Sequence, residues 1–486
     1  MGAAAQQLAG VVTGVVANQP PWRLTAGEIA GVLDGTLVVG QGAEPLGPVS
    51  IDTRTLHVGD LFFAVRGERF DGHDFTDAAI ERGARGVVVS DRAQIPAATA
   101  DRAIVIVVRD TVRALQALAR HVRRASGTRV VAITGSAGKT STKEIVAALL
   151  AARFRVVRNH GNLNNHIGLP LSLMALLERP DVAVMELGMN HAGEIARLVG
   201  IAEPDVRMWI NVGDAHLGFF GTVEQVADAK AEIMDGATSD GVLIANADDD
   251  RVMARARRFP GRVVTFGIRQ PADVQATEVR DRGLDGTDAT LSTSEGPAAL
   301  RVPLIGQAQL ANVLAAVAVA LEFQIPLETV RALAATLVPV AHRGEVVRLR
   351  NDIVVVDDSY NSSPSALIAA LELLRTERHR RRRVAVLGEM LELGAQSRTL
   401  HRECGRAAAD CGVDLLVSVG GENARALADG AIDAGLESGA AWHVETSAEA
   451  GPVVASRLEG GDLVLVKGSR DVETDRVVEH LRSELV

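Results

Sequence analysis

Short runs of β-branched and small apolar residues recur along this chain, and most of them stop at a glycine or a polar side chain. Residues 130–134 form one such run, closed by Gly135-Ser-Ala-Gly138; beyond Lys139, apolar residues return at helical spacing (Ile145, Ala147, Ala148, Leu149, Leu150). An unbroken apolar run of this length predicts a strand buried on both faces, as in parallel sheets. Residues 182–186, 206–211, 242–246 and 262–266 repeat the pattern with helical stretches between them. This predicts a central, mainly parallel sheet over 126–340. Residues 276–302 alternate instead, with Gly and Asp turns, and read as an inserted β-ribbon.

The flanking segments are also α/β. Leu24-Thr-Ala-Gly-Glu-Ile-Ala-Gly-Val-Leu33 predicts a short helix with Thr25 as N-cap and Glu28 at the reciprocal capping position. Residues 49–65 offer two strand-like runs around a polar turn, and a helix over 76–82 and a strand over 86–90 follow. Asp71-Gly-His-Asp74 resembles part of a calcium loop but lacks the later ligands, so it reads as a turn. Past residue 340, Ile353-Val-Val-Val-Asp-Asp-Ser-Tyr-Asn-Ser-Ser-Pro364 is a buried strand ending in two carboxylates and the only tyrosine of the chain. Runs at 384–387, 415–419 and 463–466 end at Gly388-Glu-Met-Leu-Glu-Leu-Gly394, Gly420-Gly421 and Lys467-Gly-Ser-Arg470. The pattern predicts three α/β domains: a small one at 21–125, the parallel-sheet domain at 126–340 and a Rossmann-like one at 341–486. Residues 1–20 read as a loosely attached extension.

Composition narrows the function classes. A chain of 486 residues with 47% apolar content is long enough for three packed cores. Its net charge of −10 argues against a nucleic-acid surface. The Arg/His run at 378–383 has no interleaved aromatics and reads as a solvated helix end. Cys404 and Cys411 are too few for a disulfide framework or a zinc site. No run reaches the length of a membrane span, and no basic residue precedes the apolar N-terminus, so a cytoplasmic protein is expected.

Strand, glycine turn, lysine, hydroxyl, helix is a phosphate cradle. Backbone N–H groups of Gly135, Ser136, Ala137 and Gly138 would face the anion, Lys139 would reach the terminal phosphates, and Thr140 could ligate Mg²⁺, with Ser141 beside it. The generic phosphate loop wants a glycine where Ile133 stands, which leaves the shorter Thr-Gly-x-x-Gly-Lys-Thr. A cradle alone leaves kinase, hydrolase, ligase and GTP switch open. The chain has no Asn-Lys-x-Asp guanine reader, which weakens the last. Glu186, at a strand end, can hold Mg²⁺ directly or through water. His216 either touches a phosphate, orients a carboxylate, or is structural.

Taken together, Ile133-Thr-Gly-Ser-Ala-Gly-Lys-Thr140, Gly161-Asn-Leu-Asn-Asn-His-Ile-Gly168, Glu186-Leu-Gly-Met-Asn-His-Ala-Gly-Glu194, Ala215-His-Leu-Gly-Phe-Phe-Gly221, Ala229-Lys-Ala-Glu-Ile233, Asp357-Asp-Ser-Tyr-Asn361 and Lys467-Gly-Ser-Arg470 resemble the Mur ligases. These are ATP-dependent amide-forming enzymes of peptidoglycan synthesis, and the resemblance runs from about residue 24 to the C-terminus. The Gly-Asn-Leu-Asn-Asn and Asp-Asp-Ser-Tyr-Asn forms favour the branch that adds D-alanyl-D-alanine to a UDP-muramoyl-tripeptide. Sibling ligases adding another amino acid, and a nucleotide-binding regulator without chemistry, are the alternatives.

The resemblance implies the site. Thr140 and Glu186 would serve one Mg²⁺, and His216 and Lys230 a second metal site. Lys230 is similar to the family lysine that carries a CO₂ carbamate; a plain ion pair to phosphate or to Glu232 is its alternative. Asn312 matches an adenine contact, Arg343 an arginine reaching the γ-phosphate from the third domain, and Asp358 an acid near ribose and phosphates. Ser50, Asp52, Thr53 and Arg54 match the loop holding the UDP end, although those residues alone read equally as turn chemistry. Asn162, Asn164 and Asn165 match a loop facing the peptide. Tyr360 and Asn361 would line the nucleotide and acceptor cleft. Lys467, Ser469 and Arg470 match the dipeptide side, where Asp471-Val-Glu-Thr474 replaces the usual apolar continuation. Arg343 and Asp358 lie beyond the central domain, so a hinge is expected to close over ATP. The chain is expected to act as a monomer on small-molecule substrates.

Overall fold

The structure, a computed structural model, describes residues 22–67, 70–90, 103–377 and 381–485. The expected extension at 1–20 and residues 378–380 of the basic run lie outside the described residues. Three sheets organise the chain.

The first has five strands in the order Thr36–Val39, Ile104–Val107, Gly86–Val89, Leu61–Phe63, Val49–Ser50. Only the Thr36–Val39 edge is antiparallel. The two runs within 49–65 pair in parallel, with Val49 opposite Leu61. The helix Ala26–Val32 carries the expected capping box between Thr25 and Glu28.

The turn at Asp71 is a 3₁₀ segment, Gly72–Phe75, closed by its own cap. The Asp71 carboxylate accepts from the His73 backbone N–H at 3.1 Å and lies 2.6 Å from His73 Nδ1. His73 Nε2 accepts from Ser90 N–H at 3.0 Å, which places the ring proton on Nδ1. Hydrogen bonding to His73 pulls the Asp71 carboxyl down to about 2 from 3.8. Its contribution to stability is complete above 3.8 and is lost as pH falls through about 2. Asp71→Asn should flatten the acid limb of thermal stability across that window, measured by melting temperature against pH.

The central sheet has nine strands: Gly296–Val302, Thr287–Thr293, Val274–Asp281, Arg262–Gly267, Val242–Asn246, Val206–Trp209, Arg129–Thr134, Val182–Glu186 and Val156–Arg158. The alternating segment is not an insertion apart from the sheet. Val274–Asp281 adds to Arg262–Gly267 in parallel, and the two strands after it extend the same sheet antiparallel. Polar alternation there marks a sheet edge covered on one face only. The middle strands Val182–Glu186 and Val206–Trp209 are buried along their whole length. Helices Lys139–Leu150 and Gln307–Glu322 pack on one face of the sheet, while Glu194–Ala202 and Thr111–Ser126 share the apolar core on the other. Burial of each such Val, Ile or Leu contributes about 1.5–3 kcal/mol relative to exposure, enough to hold the strand ends in place. Thr111–Ser126 also ties the first sheet to the second: Arg123 is bonded to Ala202 O and Thr128 O and paired with Asp205, each at 2.8 Å.

The third sheet orders Glu345–Arg348, Val354–Asp357, Leu463–Lys467, Arg383–Gly388, Leu415–Val419 and Ala441–Val444, parallel except at the first edge. Of the basic run, Arg381 and Arg382 pair with Glu459, and Arg382 also with Asp462, so these side chains are engaged within the domain.

Candidate active site

Strand Arg129–Thr134 runs into a turn, and helix Lys139–Leu150 begins with Gly138 as its N-cap at φ +81°. A side chain at 138 would be strained, and its Cβ would lie 2.6 Å from Asn312 Oδ1. The neighbouring strand, expected over 206–211, ends at Trp209, and Asn211, two residues beyond it, clamps the turn. Its Oδ1 accepts from the Ser136 and Ala137 N–H groups at 2.9 Å each, and its Nδ2 donates to Ala137 O at 3.0 Å.

Two lysines converge on one oxygen of this turn. Lys139 Nζ donates to Gly135 O at 2.9 Å and Lys230 Nζ to the same oxygen at 3.0 Å. Lys230 is 1% exposed; burial and then the charge of Lys139 push its amine well below 10.5. Burial also lowers Lys139, with Glu186 opposing and Arg343 adding to the shift. Glu232 does not pair with Lys230. Its carboxylate caps the helix Glu194–Ala202, accepting from Gly193 N–H at 2.6 Å and Ala196 N–H at 3.0 Å.

Thr140 Oγ1 donates to Glu186 Oε2 at 2.7 Å, and Asn164 Nδ2 to Glu186 Oε1 at 2.8 Å. A hydroxyl and a carboxylate, both hard oxygen donors at a helix N-terminus, suit Mg²⁺. Among the described residues no three His, Cys, Asp or Glu side chains converge on a metal position. An ion held by Thr140 and Glu186 would complete its shell with phosphate oxygens and water, as Mg²⁺ does in nucleotide sites.

The third lobe reaches this turn at several points. Arg343 Nη2 donates to Thr140 Oγ1 at 3.0 Å, and its guanidinium stacks 3.9 Å over the Tyr360 ring. Arg470 lies on the same ring at 5.8 Å. His216 Nδ1 is 2.6 Å from Glu392 Oε2, which holds the Glu392 carboxyl below its ordinary value. Asp214 accepts from Ser365 N–H at 3.0 Å and Oγ at 2.7 Å, at the start of helix Pro364–Thr376. These contacts put the middle and last lobes against each other and bring Arg343 to the phosphate turn.

One cavity of about 940 Å³ lies between the two lobes. It is lined by Ser136 to Ser141, Asn162, Asn164, Glu186, His216, Asn312, Arg343, Asp358, Tyr360, Asn361, Lys467, Ser469 and Arg470. Within it, Lys467 Nζ is engaged by Asp358 Oδ2 at 2.6 Å and Asn361 O at 3.0 Å. Ser469 Oγ accepts from Leu391 N–H at 2.9 Å. Asn312 Nδ2 donates to Gln309 Oε1 at 3.2 Å, and Gln309 Nε2 donates to Arg343 O at 3.4 Å, so Gln309 links the Asn312 helix to the third lobe.

Gly135 and Lys230, which lie behind the phosphate turn, and the other expected residues stand apart from that lining. Asn165 Oδ1 accepts from Ile167 and Gly168 N–H groups at 3.1 and 2.8 Å, capping the following helix. Ser50, Asp52, Thr53 and Arg54 form a self-bonded turn: Arg54 pairs with Asp52 at 2.6 Å, and Arg82 holds Thr53 O at 2.8 Å. Sequence reasoning assigned no role to Asn211, Asp214 or Glu392, although all three stand in stretches at strand ends. Asn159, considered below, carried no signal beyond preceding Gly161.

Family models described as the Mur ligase family catalytic domain, the Mur ligase middle domain and the Mur ligase glutamate ligase domain match residues 47–123, 133–320 and 342–470. The UDP-N-acetylmuramoyl-tripeptide–D-alanyl-D-alanine ligase of Bacillus subtilis is 34% identical over 94% of this chain and 98% of its own length. A crystal structure of MurF from Acinetobacter baumannii superposes with a TM-score of 0.86 at 30% identity, covering 96% of this chain and all of that one (100%). MurF ligase from Thermotoga maritima, in complex with ADP, matches at 0.79 and 30% identity over 90% and 97% of the two chains. With relatives matched over nearly their whole length and family models spanning all three sheets, the chain belongs to the Mur ligase family.

Proposed function

We propose that this protein joins D-alanyl-D-alanine to UDP-N-acetylmuramoyl-tripeptide, consuming ATP and releasing ADP and phosphate. The observation that carries the reading is the meeting of Lys139, Lys230, Glu186 and Arg343, from two lobes, around one phosphate turn. The relatives named above supply the substrate class.

A carboxylate and an amine do not condense unaided in water. A carboxylate oxygen of the tripeptide attacks the γ-phosphorus, ADP leaves, and an acyl phosphate forms. The amine of the dipeptide then attacks the carbonyl carbon, phosphate departs from the tetrahedral intermediate, and the amine gives up a proton. Positioning and charge neutralisation account for such catalysis, with no protein nucleophile. Lys139 and Arg343 would face the terminal phosphates; Tyr360 would keep the Arg343 guanidinium flat and aimed. Asn312 would meet the adenine, and Asp358, held by Lys467, the ribose and phosphates.

Thr140 and Glu186 would hold Mg²⁺, which neutralises charge on the phosphates when bound. His216 and Lys230 would serve a second metal position. Burial and the charge of Lys139 bias the Lys230 amine toward its neutral form, whose free electron pair would attack CO₂ with loss of a proton, giving an anionic carbamate oxygen where an ammonium would be repelled. Asn162, Asn164 and Asn165 would face the peptide, and Ser50, Asp52, Thr53 and Arg54 the UDP end. Asn361, Ser469 and Arg470 would receive the dipeptide. The domains would divide accordingly: 21–125 for the UDP substrate, 126–340 for ATP and 341–486 for the dipeptide. No helix of the described residues is long and apolar enough to cross a membrane; a cytoplasmic monomer is the working form in this reading.

The test is phosphate release by purified protein given ATP, UDP-muramoyl-tripeptide and a panel of amines, with mass spectrometry of the UDP-linked product. Release with D-alanyl-D-alanine and product mass increased by that dipeptide is expected. Release only with a single amino acid would move the protein to a sibling ligase, and nucleotide binding with no release under any acceptor would remove the enzymatic reading.

A further inference from the structure

We infer that Asn159, with Lys143 behind it, is the positioning residue that sets the Glu186 carboxylate and the loop carrying Asn162 and Asn164. Strand Val156–Arg158 pairs in parallel with Val182–Glu186, its last rung being Arg158 opposite Val184. The chain then turns away, and the ladder would end two residues short of Glu186. The Asn159 side chain supplies the missing rung. Its Oδ1 accepts from Glu186 N–H at 3.0 Å, and its Nδ2 donates to Glu186 O at 3.1 Å. A primary amide is the side-chain group that offers an acceptor and a donor in the geometry of a peptide unit.

The same amide reaches the loop. Asn159 Nδ2 also donates to Leu163 O at 3.0 Å, next to Asn164, whose own amide holds Glu186 Oε1 at 2.8 Å. From the other side, Lys143 Nζ, one turn along the phosphate helix from Lys139, donates to Asn159 O at 2.6 Å. Asn159 and Lys143 are each 1% exposed. One buried residue thus joins the phosphate helix, the end of the Glu186 strand and the acceptor-side loop. The metal-facing carboxylate and the loop are set together, so a shift in Asn159 would displace both. Neither side chain lines the cleft, so neither touches substrate.

This inference rests on the reading of Glu186 as a magnesium carboxylate, and the experiment separates the two. The variants are Asn159→Leu, close in size but without the amide, and Lys143→Met, which leaves Asn159 in place and removes the ammonium that Asn159 O and Glu144 share. In both, the Mg²⁺ concentration for half-maximal phosphate release should rise about tenfold, and nucleotide affinity measured in EDTA should stay within about twofold. Hydrogen exchange of the Glu186 amide should accelerate in both while the melting transition remains cooperative. The Lys143→Met variant keeps the test intact if Asn159→Leu fails to fold. An unchanged Mg²⁺ requirement in the folded variants, or an equal loss of EDTA nucleotide affinity, overturns the inference. Glu186→Gln is the control: if it leaves the Mg²⁺ requirement unchanged, the magnesium reading falls and takes this inference with it.

Discussion

Lys230→Ala is expected to lower turnover by about 10²–10³-fold, with ATP binding close to that of the unaltered chain. The amine is buried, its hydrogen bond goes to an oxygen already taken by Lys139, and both burial and that neighbour disfavour the ammonium form. Such an amine is neutral where an ordinary lysine is charged, and a neutral amine reacts with CO₂. Stripping CO₂ from the buffer should therefore lower activity and bicarbonate should restore it, with Lys230→Ala insensitive to both. Carbon-13 bicarbonate should give a carbamate signal that the variant lacks. Full activity in CO₂-free buffer would refute the carbamate. The acid limb follows from the same shift: as pH falls below the depressed value the amine protonates and activity declines. Stability runs the other way. The unfolded chain binds the proton more readily up to the ordinary 10.5, so the folded state is penalised below that pH. Lys230→Met should consequently melt higher than the unaltered chain while losing activity, a trade often found where a buried charge serves chemistry.

The second large effect belongs to Arg343. Arg343→Ala should cut turnover by about 10³-fold or more, with a much smaller change in ATP dissociation constant, because an arginine supplied across a cleft acts on charge that develops during transfer. The geometry is specific: Nη2 lies 3.0 Å from Thr140 Oγ1, the guanidinium carbon lies 3.9 Å from the centre of the Tyr360 ring, and Gln309 bonds the main-chain oxygen of the same residue. Arg343→Lys should recover little, since an ammonium offers neither the planar fork nor the stacked face. Equal losses in turnover and ATP binding would show that the residue serves ground-state binding instead, and would count against its role in closure.

Much of this site was legible before any coordinates, and the reason is local. Gly138 must occupy a left-handed conformation where a strand enters a helix, so the Gly-Lys-Thr signature is dictated by backbone geometry within a few residues. The strand ends at Glu186 and Asp357 follow from apolar runs that can only be buried, and they were placed to within a residue. The apolar run of the neighbouring strand continues to Asn211, but its ladder stops at Trp209 because Asn211 turns to clamp the phosphate turn. Local pattern was weakest where pairing partners are distant. Residues 49–65 read as two strand-like runs around a polar turn, and nothing in that pattern gives the parallel pairing of Val49–Ser50 with Leu61–Phe63. The segment beyond Val274 looks like an insertion, yet completes the central sheet.

What the sequence by itself determined was the set of strands, the phosphate turn and the identity of the groups able to do chemistry, since these depend on residue type and near neighbours. Only the tertiary structure decided which of those groups meet. Arg343 lies 203 positions from Thr140 and Glu392 lies 176 from His216, and no periodicity carries information over such separations. It likewise decided that Lys230 shares an oxygen with Lys139 rather than pairing with Glu232, and that Asn159 completes the ladder beside Glu186. Burial and shared hydrogen-bond partners are properties of packing, which assigns each polar group its neighbour only once the lobes have come together.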